Sequence, residues 1–142
     1  MRALWFACMI AAAPLALAEV TVEKPWARAT PPNTKVGVVY LTMRSTQADE
    51  IISMSSSVAE RIEIHTTVSE GGTIKMRPVP LVSLPAGESV RFESGGLHIM
   101  LIGLRAPLTA GSKLKLNMEL RSGERKSIDI PVLSPTDSPP TR

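Results

Sequence analysis

Four residues with nitrogen or sulfur donor atoms stand out in the sequence: His65, Met76, His98 and Met100. His65 and His98 are the only histidines, and each lies near a methionine in a segment of strand-like composition. Imidazole nitrogen and thioether sulfur together suit a soft cation such as Cu(I), whereas calcium or magnesium would need clustered carboxylates and carbonyls. Taken singly, a histidine on an apolar strand is more often a hydrogen-bonded structural residue, and a methionine more often core. What decides between packing and metal ligation is whether the chain brings the four side chains together.

Two local patterns favour ligation. Arg61-Ile62-Glu63-Ile64-His65 has strict period two, which puts Arg61, Glu63 and His65 on one face of a strand and the isoleucines on the other. After Thr66 to Val68, Glu70-Gly71-Gly72 signals a turn and Thr73 to Met76 returns, so the stretch predicts a β-hairpin. A Glu70-Gly71 loop sets His65 directly opposite Met76, and a Gly71-Gly72 loop sets them diagonally, still within reach of a long side chain. Further on, Leu97-His98-Ile99-Met100-Leu101-Ile102-Gly103-Leu104 reads as a central strand, apolar on both faces, with His98 and Met100 sharing one of them.

The other segments supply the scaffold. Val20 to Glu23 alternates as a half-buried strand and Lys24-Pro25-Trp26 reads as its stop, with Trp26 as a core or edge plug. Gly37 to Met43 is a β-branched and aromatic run, and Ala48-Asp49-Glu50 and Ser55-Ser56-Ser57 punctuate the chain on either side of Ile51 to Met54. Pro78, Pro80 and Pro85-Ala86-Gly87 predict irregular chain before a strand at Ser89 to Glu93. Leu114, Leu116, Met118 and Leu120 alternate with charged and polar residues, and Ser127 to Val132 returns as a hairpin partner. Met43 and Met118 read as core. No segment shows a helical period. Many short strands with glycine and proline at the breaks predict an all-β sandwich or barrel in a single domain.

Export bounds the chemistry. Arg2, the apolar run Ala3 to Ala13 and Ala16-x-Ala18 form the three parts of a secretory signal peptide, with cleavage expected after Ala18. The apolar run is shorter than the roughly 20 residues that span a bilayer, so no stable membrane insertion of the mature chain is expected. Residues 19–133 then form the β domain, and residues 134–142, with three prolines, form a disordered tail. Cleavage removes Cys8, the single cysteine, which excludes thiol chemistry and disulfides in the mature chain. It also leaves 15 lysines and arginines against 13 acidic residues, a balance that, with few aromatics and no basic run, gives no case for nucleic-acid binding.

The spacing His65-x10-Met76-x21-His98-x-Met100 resembles that of the periplasmic copper chaperones of the PCu(A)C family. The resemblance extends to Trp26-Ala27-Arg28, the Gly37 to Met43 strand, Pro85-Ala86-Gly87 and Gly96 to Leu101 with Gly103-Leu104; Thr66 stands where many members carry a second methionine. It implies a cupredoxin-like β-barrel in the periplasm that binds one Cu(I) through His65, Met76, His98 and Met100. It also implies delivery to a copper-receiving protein, in some members the binuclear copper centre of cytochrome c oxidase, reached through one of its subunits or an assembly factor. The chemistry agrees: thioethers and neutral imidazoles hold Cu(I) without ligand charge, and methionine cannot form a disulfide outside the cytoplasm. Copper or silver sequestration for resistance is the alternative within the metal class, and a metal-free interaction domain the alternative outside it. An enzyme is not expected, because there is no nucleophile-elbow motif and no carboxylate set beside the histidines.

Overall fold

The structure, a computed structural model, describes residues 18–140, so the expected signal segment lies outside the described residues except for Ala18. Ten strands follow one another: β1 (Val20–Arg28), β2 (Val36–Ser45), β3 (Asp49–Ser55), β4 (Ala59–Glu70), β5 (Thr73–Pro78), β6 (Val82–Leu84), β7 (Ser89–Phe92), β8 (Leu97–Leu104), β9 (Lys113–Leu120) and β10 (Arg125–Leu133). They form one sheet in the order β5-β4-β8-β7-β2-β1-β10-β9-β3-β6, with β8 also paired to β2. Among the described residues no helix is long and apolar enough to cross a membrane.

Period-two alternation decides which side chains enter the core. Along β2, Gly37, Val39, Leu41, Met43 and Ser45 are buried while Val36, Val38, Tyr40, Thr42 and Arg44 face outward. Along β9, Leu114, Leu116, Met118 and Leu120 are buried between exposed or half-buried polar residues. Leu97, Ile99 and Leu101 of β8 and Ile64 of β4 join the same core, so His98, Met100 and His65 are left on the outer face of the sheet. Met43 and Met118 are core, as their patterns predict.

The structure differs from the local expectations in β1 and where β3 meets β6. Lys24-Pro25 does not end β1 but forms a bulge: Glu23 pairs with Thr42 and Trp26 with Tyr40, so two residues of β1 oppose Leu41 alone. A bulge tolerates proline, which has no ladder N–H to offer, and Lys24 takes a left-handed φ of 49° there. Trp26 is thereby half-buried on the outer face rather than in the core. Asp49 and Glu50 open β3 rather than preceding it, since Asp49 pairs with Leu84 of β6, a short strand within the proline-rich stretch expected to be irregular. Residues 134–140 carry no strand, and a turn closes at their start through Asp137 N–H to Ser134 O (3.0 Å) and Ser134 N–H to Asp137 Oδ2 (2.8 Å).

One glycine is fixed by its backbone. Gly103 of β8 has a φ of +71°, and a Cβ there would lie 2.6 Å from Glu60 Cδ. Gly103→Ala is expected to cost about 1–2 kcal/mol from the left-handed backbone alone, read by denaturant unfolding. Gly95→Ala, at a φ of +84° with nothing within 4 Å, supplies the backbone-only reference.

Candidate metal centre

The site is built where β5, β4 and β8 run side by side. β4 and β8 are antiparallel, and His65 pairs directly with His98 while Glu63 pairs with Met100. Direct antiparallel partners carry Cβ atoms roughly 5 Å apart on the same face. The ring centroids of His65 and His98 are 6.1 Å apart and the planes are inclined by 47°. With metal–nitrogen bonds of about 2.0 Å, that separation lets one ion sit between two imidazoles.

The hairpin adopts the second of the two registers expected for it. Gly71 and Gly72 have φ values of 58° and 80°, and Glu70 pairs with Thr73, so Met76 faces Thr67 and Pro78 faces His65. Met76 is therefore diagonal to His65 on the same face. Met100 follows His98 by two residues, again on that face and diagonal to His65. All four sequence-predicted donors thus share one sheet face, the histidine pair in the middle and a methionine flanking it on either side.

Hydrogen bonds fix the state of both rings. Glu63 Oε2 lies 2.9 Å from His65 Nε2, and a carboxylate can only accept, so Nε2 carries the proton and Nδ1 the lone pair. His98 Nδ1 donates to the Gly96 carbonyl at 2.9 Å, which leaves the lone pair on Nε2. These two free nitrogens, His65 Nδ1 and His98 Nε2, are buried and have no hydrogen-bond partner among the described residues. Leaving a buried acceptor unmatched ordinarily costs about 1–3 kcal/mol, so the pair points to an occupant. The Arg61 Nε to Glu63 Oε1 bond, 2.7 Å long, completes a chain along one face of β4. Arg61 first, then His65, holds the Glu63 carboxyl below its ordinary range.

Glu63 was not singled out by sequence reasoning, and it corrects the statement that no carboxylate stands beside the histidines. Its i, i+2 relation to His65 is the signal that was available. Among the described residues the second ring nitrogen of His65 meets no hydroxyl. Among the described residues no three His, Cys, Asp or Glu side chains are grouped so as to hold a metal.

The same arrangement of strands is found in known proteins. The model of the LpqE-like family, described in terms of a lipoprotein, matches residues 20–132. The chain belongs to the LpqE-like family. Lxx21020 of Leifsonia xyli subsp. xyli is 29% identical to this LpqE-like chain over 114 residues, which are 80% of this chain and 69% of that protein. Among solved structures, the copper-bound PCuAC domain from PmoF2 matches with a TM-score of 0.70 at 19% identity, covering 84% of this chain and 97% of that domain. CuI-DR1885 from Deinococcus radiodurans matches with a TM-score of 0.61 at 24% identity, covering 90% of this chain and 84% of that one. The fold is all-β and cupredoxin-like, that of the PCuAC domains.

Proposed function

We propose that this LpqE-like chain is an exported carrier of Cu(I), bound by His65 Nδ1, His98 Nε2 and the thioethers of Met100 and Met76. The observation that carries this reading is the pair of buried, unpartnered ring nitrogens on directly paired residues. Sulfur on both flanks selects a soft ion, and copper is present in structural relatives described as copper-bound and CuI-bound. The site is suited to a cargo rather than a permanent cofactor. Met76 is 60% exposed, so an acceptor's ligand can replace it first, after which Met100 and the histidines leave one at a time.

Delivery, as opposed to storage, is favoured by that graded exposure. The acceptor proposed is the copper centre of cytochrome c oxidase, on the strength of the His-Met spacing that the chain shares with periplasmic copper chaperones. Export into the periplasm is the reading supported by the three-part signal pattern at residues 1–18. The direct test is native mass spectrometry of residues 19–142 with one equivalent of Cu(I), beside a variant with all four donors replaced. One copper retained by the first and none by the second is expected; equal retention would overturn the assignment. Transfer is tested by mixing the loaded protein with a soluble domain bearing the oxidase copper centre and following the metal's movement.

Protons compete for the same lone pairs. Cu(I) binding is expected to weaken in acid, because an imidazolium cannot ligate. A chelator competition between neutral and mildly acid pH measures it, and an affinity flat over that range would count against histidine ligation.

A further inference from the structure

The outer face of the sheet carries a second feature that metal binding does not use. A cleft of about 650 Å³ is lined by Trp26, Arg28, Tyr40 and Arg91 together with Pro139 and Pro140 from the C-terminal segment. Trp26 and Tyr40 are directly paired across β1 and β2, with ring centroids 4.8 Å apart and planes inclined by 39°. The Arg28 guanidinium lies 5.2 Å from the centroid of the Trp26 ring. Trp26 owes its place to the Lys24-Pro25 bulge, where a non-glycine residue is held at a φ of 49°. Bulges re-aim side chains, and backbone strain of this kind gathers at binding sites.

We propose that this cleft is a proline-recognition site whose resident ligand is the chain's own Ser138-Pro139-Pro140 segment. Adjacent aromatic rings bind polyproline-type chain because proline rings pack on their faces and the fixed proline φ leaves little entropy to lose. The connection delivers the prolines to the rings. Leu133, the last residue of β10, pairs in parallel with Arg28 of β1, and the Ser134 to Asp137 turn then redirects the chain so that Pro139 and Pro140 line the cleft beside the rings. So short a tether gives the segment a high effective concentration at the cleft, which favours it over any free ligand. Val38 pairs with Met100, and Tyr40 lies two residues along β2 on the same face, so the docked tail flanks the surface that bears the candidate metal donors.

The proposal needs no metal, and its test is made on the metal-free chain from Glu19 onward. That chain retains every strand and has Trp26 as its single tryptophan. Nuclear Overhauser contacts between the Trp26 indole and the Pro139 and Pro140 ring protons are expected in the unmodified sequence. Pro139→Gly/Pro140→Gly is expected to red-shift Trp26 emission and raise its quenching by acrylamide with an unchanged far-ultraviolet circular dichroism spectrum. An excess of a peptide spanning residues 134–142 should reverse both effects, and the same peptide with glycine for both prolines should not. Absence of the contacts, emission and quenching unaltered by the double substitution, or equal protection by the glycine peptide would each overturn it.

Discussion

Replacing His98 by asparagine is expected to lower Cu(I) affinity by more than about 100-fold, since losing a partner one shell further out already costs 10–100-fold at metal sites. The choice of asparagine isolates the metal. Its side-chain amide can keep the donor that His98 Nδ1 offers to the Gly96 carbonyl, but it places no lone pair where Nε2 stands. His98 is only 5% exposed, so alanine would mix the lost ligand with a cavity. With asparagine the metal-free protein should unfold close to the wild-type midpoint while a Cu(I) chelator strips the variant. Met76→Ala is expected to weaken binding much less than Met100→Ala, because Met76 is 60% exposed and its sulfur competes with water for the ion. Equal losses at the two methionines would contradict the order of ligand release.

What could be read beforehand, and what could not, divides along the range of the interactions. His98 and Met100 share a face because side chains alternate along a strand, which needs nothing beyond the sequence. The hairpin left two registers open. The deciding physics was nonetheless present, since a two-residue loop with positive φ at both central positions is met by Gly71-Gly72 and not by Glu70-Gly71. Direct pairing of His65 with His98 was not legible. It depends on β4 and β8 being neighbours, although β5, β6 and β7 separate them in the chain, and no local rule sets the order of strands in a sheet. The Lys24-Pro25 bulge was read as a strand end because proline stops ladder hydrogen bonding in both cases. Only the resumption of pairing at Trp26 and Tyr40 distinguishes them.

Glu63 shows what the tertiary pairing adds, and it carries the second large expected effect. Glu63→Ala should weaken Cu(I) binding by roughly 10–100-fold, as expected when the carboxylate behind a ligating histidine is removed, whereas Glu63→Gln should cost much less. Glutamine can still accept from His65 Nε2–H through its amide oxygen and so keep the lone pair on Nδ1; alanine releases the ring to take either tautomer. The nitrogen-15 shifts of the metal-free protein report this directly, with one His65 tautomer in wild type and in Glu63→Gln and a mixture in Glu63→Ala. Acid does not mimic the substitution. Arg61, then His65, lowers the Glu63 carboxyl, and a carboxylate so lowered gives its full stabilisation above its ordinary value and loses it only as pH falls through the depressed one. At neutral and mildly acid pH Glu63 therefore stays charged. Glu63→Ala should therefore bind weakly at neutral pH, and a variant that matched wild type there would show that Glu63 has no part in positioning His65 for the metal.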